Sequence, residues 1–242
     1  MKGIKIRTAK FRIRVILLLL LAVLGFYAYN NYTGGMRRLL TAMSTGVDLV
    51  YSGDGEEKQI AITFDAVWPG GDYDKLLNIL EQYSVNATFF VTGNWMEKNQ
   101  EALSKLLSKG HEIGNLTNNF KNLKGLSEEE IIAEIKDMEN KYREKTGRDL
   151  AIFRPPAGSY DKNVVETASL LGYKTVLWSV DSEDLSDVDY KQVVETVLKK
   201  TRNGSIILFH PEEEKTLKAL PIIIKNLAGK GYKFVTISSL LN

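Results

Sequence analysis

From residue 59 to the C-terminus, short apolar runs alternate with longer segments in which apolar residues recur every three or four positions. Short runs rich in β-branched and aromatic residues are typical of strands, and the longer spacing is typical of helices. The runs predict strands at residues 60–64, 87–91, 112–114, 151–153, 175–179, 205–209 and 233–236. The segments between them predict helices at residues 72–83, 95–108, 127–145, 161–171, 189–202 and 214–228.

Local signals mark the ends of these helices. Ser127, followed three residues later by Glu130, forms the capping-box pattern of a helix start. Gly110, Gly172 and Gly231 each follow a helix, where glycine adopts the left-handed conformation that ends helices. Strand and helix alternate about six times, which predicts an α/β fold with a parallel sheet, either a barrel or an open sheet.

An uncharged apolar run, residues 15–29, directly follows a basic block in which residues 1–14 contain six Lys or Arg residues and no acid. This pattern predicts a signal anchor over residues 1–29, a single transmembrane segment that leaves the rest of the chain outside the cytoplasm. A cleaved secretory signal and a buried soluble helix are the alternatives. We expect residues 30–57, punctuated by glycine and asparagine, to be a spacer, and residues 58–242 to form one domain.

The composition excludes several kinds of chemistry. The chain has no cysteine, which rules out a disulfide framework, a thiolate metal site and a cysteine nucleophile. It has two histidines, His111 and His210. Six of the 32 basic residues lie in residues 1–14, which leaves 26 basic residues against 30 acidic ones. Nucleic-acid binding requires a basic surface, so we expect no nucleic-acid partner.

Polar side chains follow five of the predicted strands. A single residue of this kind is more often a helix cap or a turn residue than a functional group. Because the carboxyl ends of parallel strands meet at one rim, several of them together indicate a candidate site. They are Asp65, Asn115, Arg154, Asp181, Asp184 and His210.

Five segments, in order, resemble the motifs of the polysaccharide deacetylase family, also called the NodB homology domain or carbohydrate esterase family 4. They are residues 63–66 (TFDA), 111–120 (HEIGNLTNNF), 154–160 (RPPAGSY), 178–184 (WSVDSED) and 207–210 (ILFH). The resemblance spans about residues 59–241 and is greatest to a sporulation-associated subgroup whose metal site is degenerate. It implies a distorted parallel (β/α) barrel of about seven strands.

The resemblance also implies a metal site whose ligands are missing. The family binds a divalent metal through a second aspartate in the first segment and two histidines in the second. Those positions are Ala66, Leu116 and Phe120 here. Their side chains offer no nitrogen or oxygen to a zinc-like ion, so we expect no metal cofactor.

The remaining family roles fall on matching residues. The resemblance implies that Asp65 is the general base, that His210 is the acid, and that Arg154 and Asp184 hold them. The backbone N–H of Tyr160 would stabilise the oxyanion. The residues expected to contact the sugar are Trp178, Trp68, Pro155, Pro156 and Leu208.

Three functions are compatible with these residues. The chain is a slow or metal-independent N-deacetylase, a glycan-binding pseudoenzyme, or a protein in which these residues are a buried structural network. The expected partner is an N-acetylated glycan. An outward-facing protein would meet peptidoglycan, with chitin oligomers and exopolysaccharide as alternatives.

Overall fold

The computed structural model describes residues 49–68 and 70–242. The predicted anchor, residues 15–29, and most of the predicted spacer lie outside them. Across the described ranges, every helix is too short or too polar to cross a membrane.

The described residues contain nine short strands and eight α-helices. The strands are β1 (Leu49–Val50), β2 (Gln59–Ala66), β3 (Thr88–Val91), β4 (Glu112–Asn115), β5 (Ile152–Phe153), β6 (Lys174–Val176), β7 (Val180–Asp181), β8 (Ile206–Phe209) and β9 (Lys233–Phe234). The helices are α1 (Tyr73–Gln82), α2 (Gly93–Lys98), α3 (Gln100–Ser108), α4 (Glu128–Thr146), α5 (Lys162–Leu170), α6 (Tyr190–Lys200), α7 (Glu214–Gly229) and α8 (Ile237–Leu240).

The strands form one curved sheet in the order β1-β6-β5-β4-β3-β2-β8-β7, with β9 also paired to β2. Every pairing between these strands is parallel. This arrangement confirms the predicted parallel α/β architecture. Since β1 and β7 are the ends of the order, the described strands form an incomplete barrel.

Alternation along β2 separates two layers of core. Ile60, Ile62 and Phe64 belong to the larger cluster that packs beneath the helices. Ala61 points the other way, into a smaller cluster that also contains Phe90 of β3 and residues of β5, β6 and β8. We call this smaller cluster the inner cluster. Because Asp65 shares its side of the strand with Ala61, the alternation carries its carboxylate toward the inner face.

The helix ends follow the predicted signals. Ser127 and Glu130 form a complete capping box. Gly110, Gly172 and Gly231 all have a positive φ, as expected for residues that end a helix. The predicted helix at residues 95–108 is two helices, α2 and α3, which meet at Asn99.

Two strands and one helix were missing from the prediction, which gave about seven strands. β1 and β7 have two residues each, too few to show a period. β1 lies within the predicted spacer, yet it pairs with β6 in register Val50 to Val176. The packed part of the chain therefore extends beyond residue 58 toward the N-terminus. Helix α8 has four residues and was likewise too short to detect.

Candidate active site

Asp65 and Arg154 form a buried ion pair inside the barrel. The Arg154 guanidinium donates through Nη1 to Asp65 Oδ1 at 2.7 Å, and the two residues are 0% and 3% exposed. Nη1 also donates to Thr63 Oγ1 at 3.1 Å. A buried charge is tolerated only when it is paired and hydrogen-bonded, and both conditions hold here.

The rest of the guanidinium is also satisfied. Nε and Nη2 donate to the backbone carbonyls of Val176 and Leu177, at 3.2 and 3.0 Å, and the group lies 4.0 Å from the ring centroid of Phe90. Complete burial lowers the pKa of Arg154, while the charge of Asp65 acts in the opposite direction. Arg154 is thus fixed at every donor group and holds the Asp65 carboxylate in one orientation.

His210 lies beside Asp65 even though 145 positions separate them in the sequence. Phe64 of β2 and Phe209 of β8 are partners in the parallel register. The next residues along these adjacent strands are Asp65 and His210, which therefore emerge side by side at the rim. The register therefore brings the first and last of the predicted polar residues to the same rim.

Asp184 forms hydrogen bonds with both the ring and the backbone of His210. One carboxylate oxygen lies 2.7 Å from His210 Nδ1, and the other accepts from the His210 backbone N–H at 2.7 Å and from Thr216 Oγ1 at 2.5 Å. Burial alone would lower the pKa of His210. The hydrogen bond and charge of Asp184, with the charges of Asp65 and Glu212, outweigh it and raise the pKa above its ordinary value. A protonated imidazole is the form that can act as an acid.

Two of the six polar rim residues are structural. The Asn115 side chain accepts from the Thr117 N–H and donates to the Ile135 carbonyl, which folds the loop after β4 onto α4. Asp181 accepts from the Glu183 N–H in a turn. His111 is structural too, since its ring accepts from the Ala87 N–H and burial lowers its pKa to about 4.

Hydrocarbon fills the region where the family resemblance placed a metal. Ala66 and Leu116 are fully buried, and Phe120 packs against the same inner cluster as Leu116. The Trp68 ring lies 5.9 Å from the Phe120 ring and 6.3 Å from the His210 ring. Within the described ranges, no group of three His, Cys, Asp or Glu side chains could hold a metal ion. The residues present do not fit the divalent metal of the family.

Two large apolar side chains in the loops that carry these groups are exposed, Trp68 at 44% and Leu185 at 53%. Trp178 is half-buried and packs on Gly158, where a Cβ would come within 2.8 Å of the indole. Of the predicted sugar contacts, Trp68 and Trp178 therefore present surface. Pro155, Pro156 and Leu208 are buried, so little of their side chains is available to a ligand.

Tyr160, the predicted oxyanion residue, has a partner that sequence reasoning missed. Its hydroxyl lies 2.5 Å from the hydroxyl of Tyr51, which is 44% exposed. Tyr51 follows β1 and therefore sits at the same rim as the residues after β6. The Tyr160 backbone N–H donates to no acceptor in the described part of the chain.

Several loops around the site have unusual backbone conformations. Thr117, Phe120, Ala157 and Glu183 all have positive φ without being glycine. Such conformations cost free energy and tend to occur at functional sites. The loops that carry the family motifs are therefore locally strained at these four positions.

A known protein family matches the sequence of this chain. The sequence profile of the family described as polysaccharide deacetylase matches residues 52–176, more than half of the chain. The chain belongs to the polysaccharide deacetylase family. This membership confirms the resemblance seen in the sequence.

Among curated relatives of this deacetylase family member, a peptidoglycan-N-acetylglucosamine deacetylase of Bacillus cereus is 38% identical, over 76% of this chain and 89% of the relative. The peptidoglycan-N-acetylmuramic acid deacetylase PdaA of Bacillus subtilis is 30% identical, over 88% of this chain and 82% of the relative. Both relatives are thus matched over most of their length.

One similar solved structure is a carbohydrate esterase family 4 pseudoenzyme from Bacillus anthracis. It has a TM-score of 0.78 and 29% identity, and the match covers 83% of this chain and 71% of that one. A mutant of that protein, described as having restored enzymatic activity, has the same TM-score at 30% identity. The fold of this chain is therefore shared by peptidoglycan deacetylases and by a pseudoenzyme.

Proposed function

We propose that this chain is an extracytoplasmic peptidoglycan N-deacetylase that works without the divalent metal of its family. The observation that supports this most strongly is the pairing at the rim. Asp65 is held by Arg154, His210 is held by Asp184, and Asp65 and His210 follow adjacent strands. The peptidoglycan deacetylases among its relatives support the substrate class.

The proposed reaction divides the work between these groups. Asp65 accepts a proton from water as the water oxygen bonds to the acetamide carbonyl carbon. The Tyr160 N–H stabilises the oxyanion that forms. His210 then gives its proton to the nitrogen as the carbon–nitrogen bond breaks, which yields acetate and a free amine. Without a metal to polarise the carbonyl, turnover should be slow.

Location is part of the proposal. The basic block and the apolar run of residues 15–29 support an anchor in the cell membrane, with the catalytic domain facing the wall. A cleaved signal would give a secreted protein with the same domain. Blotting membrane and medium fractions of cells that carry a C-terminally tagged chain separates the two, and retention of the tag in the cytosol would contradict both.

The enzymatic proposal is tested by acetate release from N-acetylglucosamine oligomers and purified peptidoglycan, with and without chelator. We expect slow release that chelator does not change. Asp65→Asn and His210→Gln should each abolish it while the variants still unfold cooperatively. Equal release by wild type and both folded variants would overturn the proposal.

A glycan-binding pseudoenzyme is the second candidate. The apolar filling at Ala66, Leu116 and Phe120 favours it, because this change removes catalytic power and leaves exposed aromatic surface such as Trp68 in place. Retention on purified peptidoglycan, together with no acetate release under any condition, would favour this function over the first. Trp68→Ala should then weaken retention.

A further inference from the structure

Glu212 is a buried carboxylate for which the family resemblance gave no role. It lies two residues beyond His210, in the turn between β8 and α7, and the Glu213 N–H donates to the His210 carbonyl at 3.3 Å across that turn. Both Glu212 carboxylate oxygens are shielded from solvent, and neither has a hydrogen-bond partner among the described residues. A buried charged group without a partner is costly and therefore requires an explanation.

The carboxylate reaches from the loop of His210 toward the loop that follows Asp65. A Cβ added to Gly71 would lie 3.3 Å from the Glu212 Cα, so the two loops are packed together. The backbone N–H groups of Val67 and Trp68 face the carboxylate without reaching it in normal hydrogen-bond geometry. Glu212 thus lies where the loop of His210 packs against the loop that follows Asp65.

The electrostatic effects of Glu212 and His210 are mutual. Burial raises the pKa of Glu212 to about 7, although the nearby backbone N–H groups and the positive charge of His210 oppose this rise. The charge of Glu212 in turn helps to raise the pKa of His210. The other charged groups that act on His210 are Asp184 and Asp65, and the Tyr73 phenol of α1 also faces Glu212.

We propose that Glu212 is a positioning residue of the site, a second carboxylate that acts on His210 and favours its protonated form. Asp184 holds the ring at Nδ1, and Glu212 supplies charge from the side of the β2 loop. A protonated His210 serves as an acid only in the proposed deacetylase reaction, so that role rests on the proposed function. The electrostatic interaction between Glu212 and His210 does not depend on that function.

The sequence makes this coupling easy to measure, because the chain has only two histidines. Proton NMR of the imidazole Cε1–H signals, recorded from about pH 5.5 to 9, reports the ionisation of His210. His111 provides an internal reference, since its pKa of about 4 leaves its ring neutral across this range.

The decisive variant is Glu212→Gln, which removes the charge and keeps the shape. We expect the titration midpoint of His210 to fall by about half a unit or more, since a nearby opposite charge favours the charged form. Glu213→Gln is the matched control. Glu213 is adjacent in sequence and half-buried but is not among the groups that shift His210, so its variant should leave the midpoint unchanged. Asp184→Asn is the positive control and should lower the midpoint.

A second variant guards against a change in folding. Glu212→Asp keeps the charge, so its midpoint should lie nearer to wild type than to Glu212→Gln. A folded Glu212→Gln variant whose His210 titrates at the wild-type midpoint would overturn the inference. The titration needs no turnover. A shifted midpoint in a protein that releases no acetate would therefore contradict the proposed function alone.

Discussion

The two halves of the candidate site differ in whether they keep the residues of the family. On the acid–base side, Asp65, Arg154, Asp184 and His210 are buried in two hydrogen-bonded pairs. On the side where the family binds metal, the side chains have no ligand atoms: Leu116 and Phe120 pack in the inner cluster, and Ala66 belongs to the larger cluster. A general decay of the site would leave both sides unpaired, whereas here every charged member of the first side has a partner.

The two sides differ in what a substitution costs the free energy of folding. A buried ion pair cannot lose one member without a large penalty, so its residues depend on one another. Alanine, leucine and phenylalanine can replace metal ligands at little cost to folding, because they bury hydrocarbon against hydrocarbon. The comparison can be tested on each side separately.

The largest expected effect follows from breaking the ion pair. Arg154→Met leaves the Asp65 carboxylate buried without its partner and should lower the free energy of unfolding by about 3–5 kcal/mol. Urea denaturation at pH 7 measures it. Adding Asp65→Asn to the Arg154→Met protein should recover part of the loss, because the unpaired charge is then gone. If Arg154→Met unfolded at the wild-type urea concentration, the pair would not stabilise the fold.

Restoring the family ligands at the three apolar positions should produce a metal site. The combined variant Ala66→Asp, Leu116→His and Phe120→His supplies one carboxylate and two imidazoles, a ligand set that zinc accepts. Phe120 has a φ of +58°, and histidine tolerates that region better than phenylalanine. We therefore expect the loop to accept the change.

The variant should bind zinc in calorimetry, and acetate release should become sensitive to chelator. We expect the rate to rise by about two orders of magnitude, since a metal supplies several kcal/mol of transition-state stabilisation. The two-residue variant Leu116→His and Phe120→His is the control and should bind more weakly. Zinc binding without any gain in rate would show that the acid–base side is not competent.

Glu212 gives a pH-dependent effect on stability. Its pKa is raised from the ordinary 4.5 to about 7 by burial, so the folded state holds this proton more tightly than the unfolded state. The contribution of Glu212 to the free energy of unfolding is therefore complete below pH 4.5. It is lost as the pH rises through about 7. His210, whose pKa is also raised, changes stability in the same direction.

Glu212→Gln should consequently be more stable than wild type at pH 8 by roughly 1–3 kcal/mol, with a smaller difference at pH 5. Denaturation at both pH values measures this, and Glu213→Gln again serves as the control. A difference that is larger at pH 5 than at pH 8 would contradict the burial of an ionisable Glu212.

The sequence was most informative where apolar runs were long. The run that became β2 placed Asp65 at a strand end, and the run that became β8 did the same for His210. Glu212 was missed because it stands in a row of three acids, Glu212 to Glu214, where composition does not reveal which one turns inward. Its position two residues after a rim histidine was the available signal.

Tyr51 was missed for a different reason. Its partner Tyr160 is 109 positions away, and β1, which positions it, is too short to predict. Local pattern carries no information on such a contact, because it depends on the pairing of β1 with β6. Tertiary structure alone brings these two side chains together.

The smallest expected effect concerns this tyrosine pair. Tyr51→Phe removes one hydroxyl and should lower the free energy of unfolding by about 0.5–1 kcal/mol, because the bond lies near solvent. Tyr160→Phe should have a similar effect, and the double variant should lose little more than either single one, since both remove the same hydrogen bond. Urea denaturation of the four proteins completes this double-mutant cycle. Additive losses would mean that the hydroxyls act independently. Coupled losses would establish that β1 steadies the loop carrying the candidate oxyanion N–H, and retention on peptidoglycan should then weaken in both single variants.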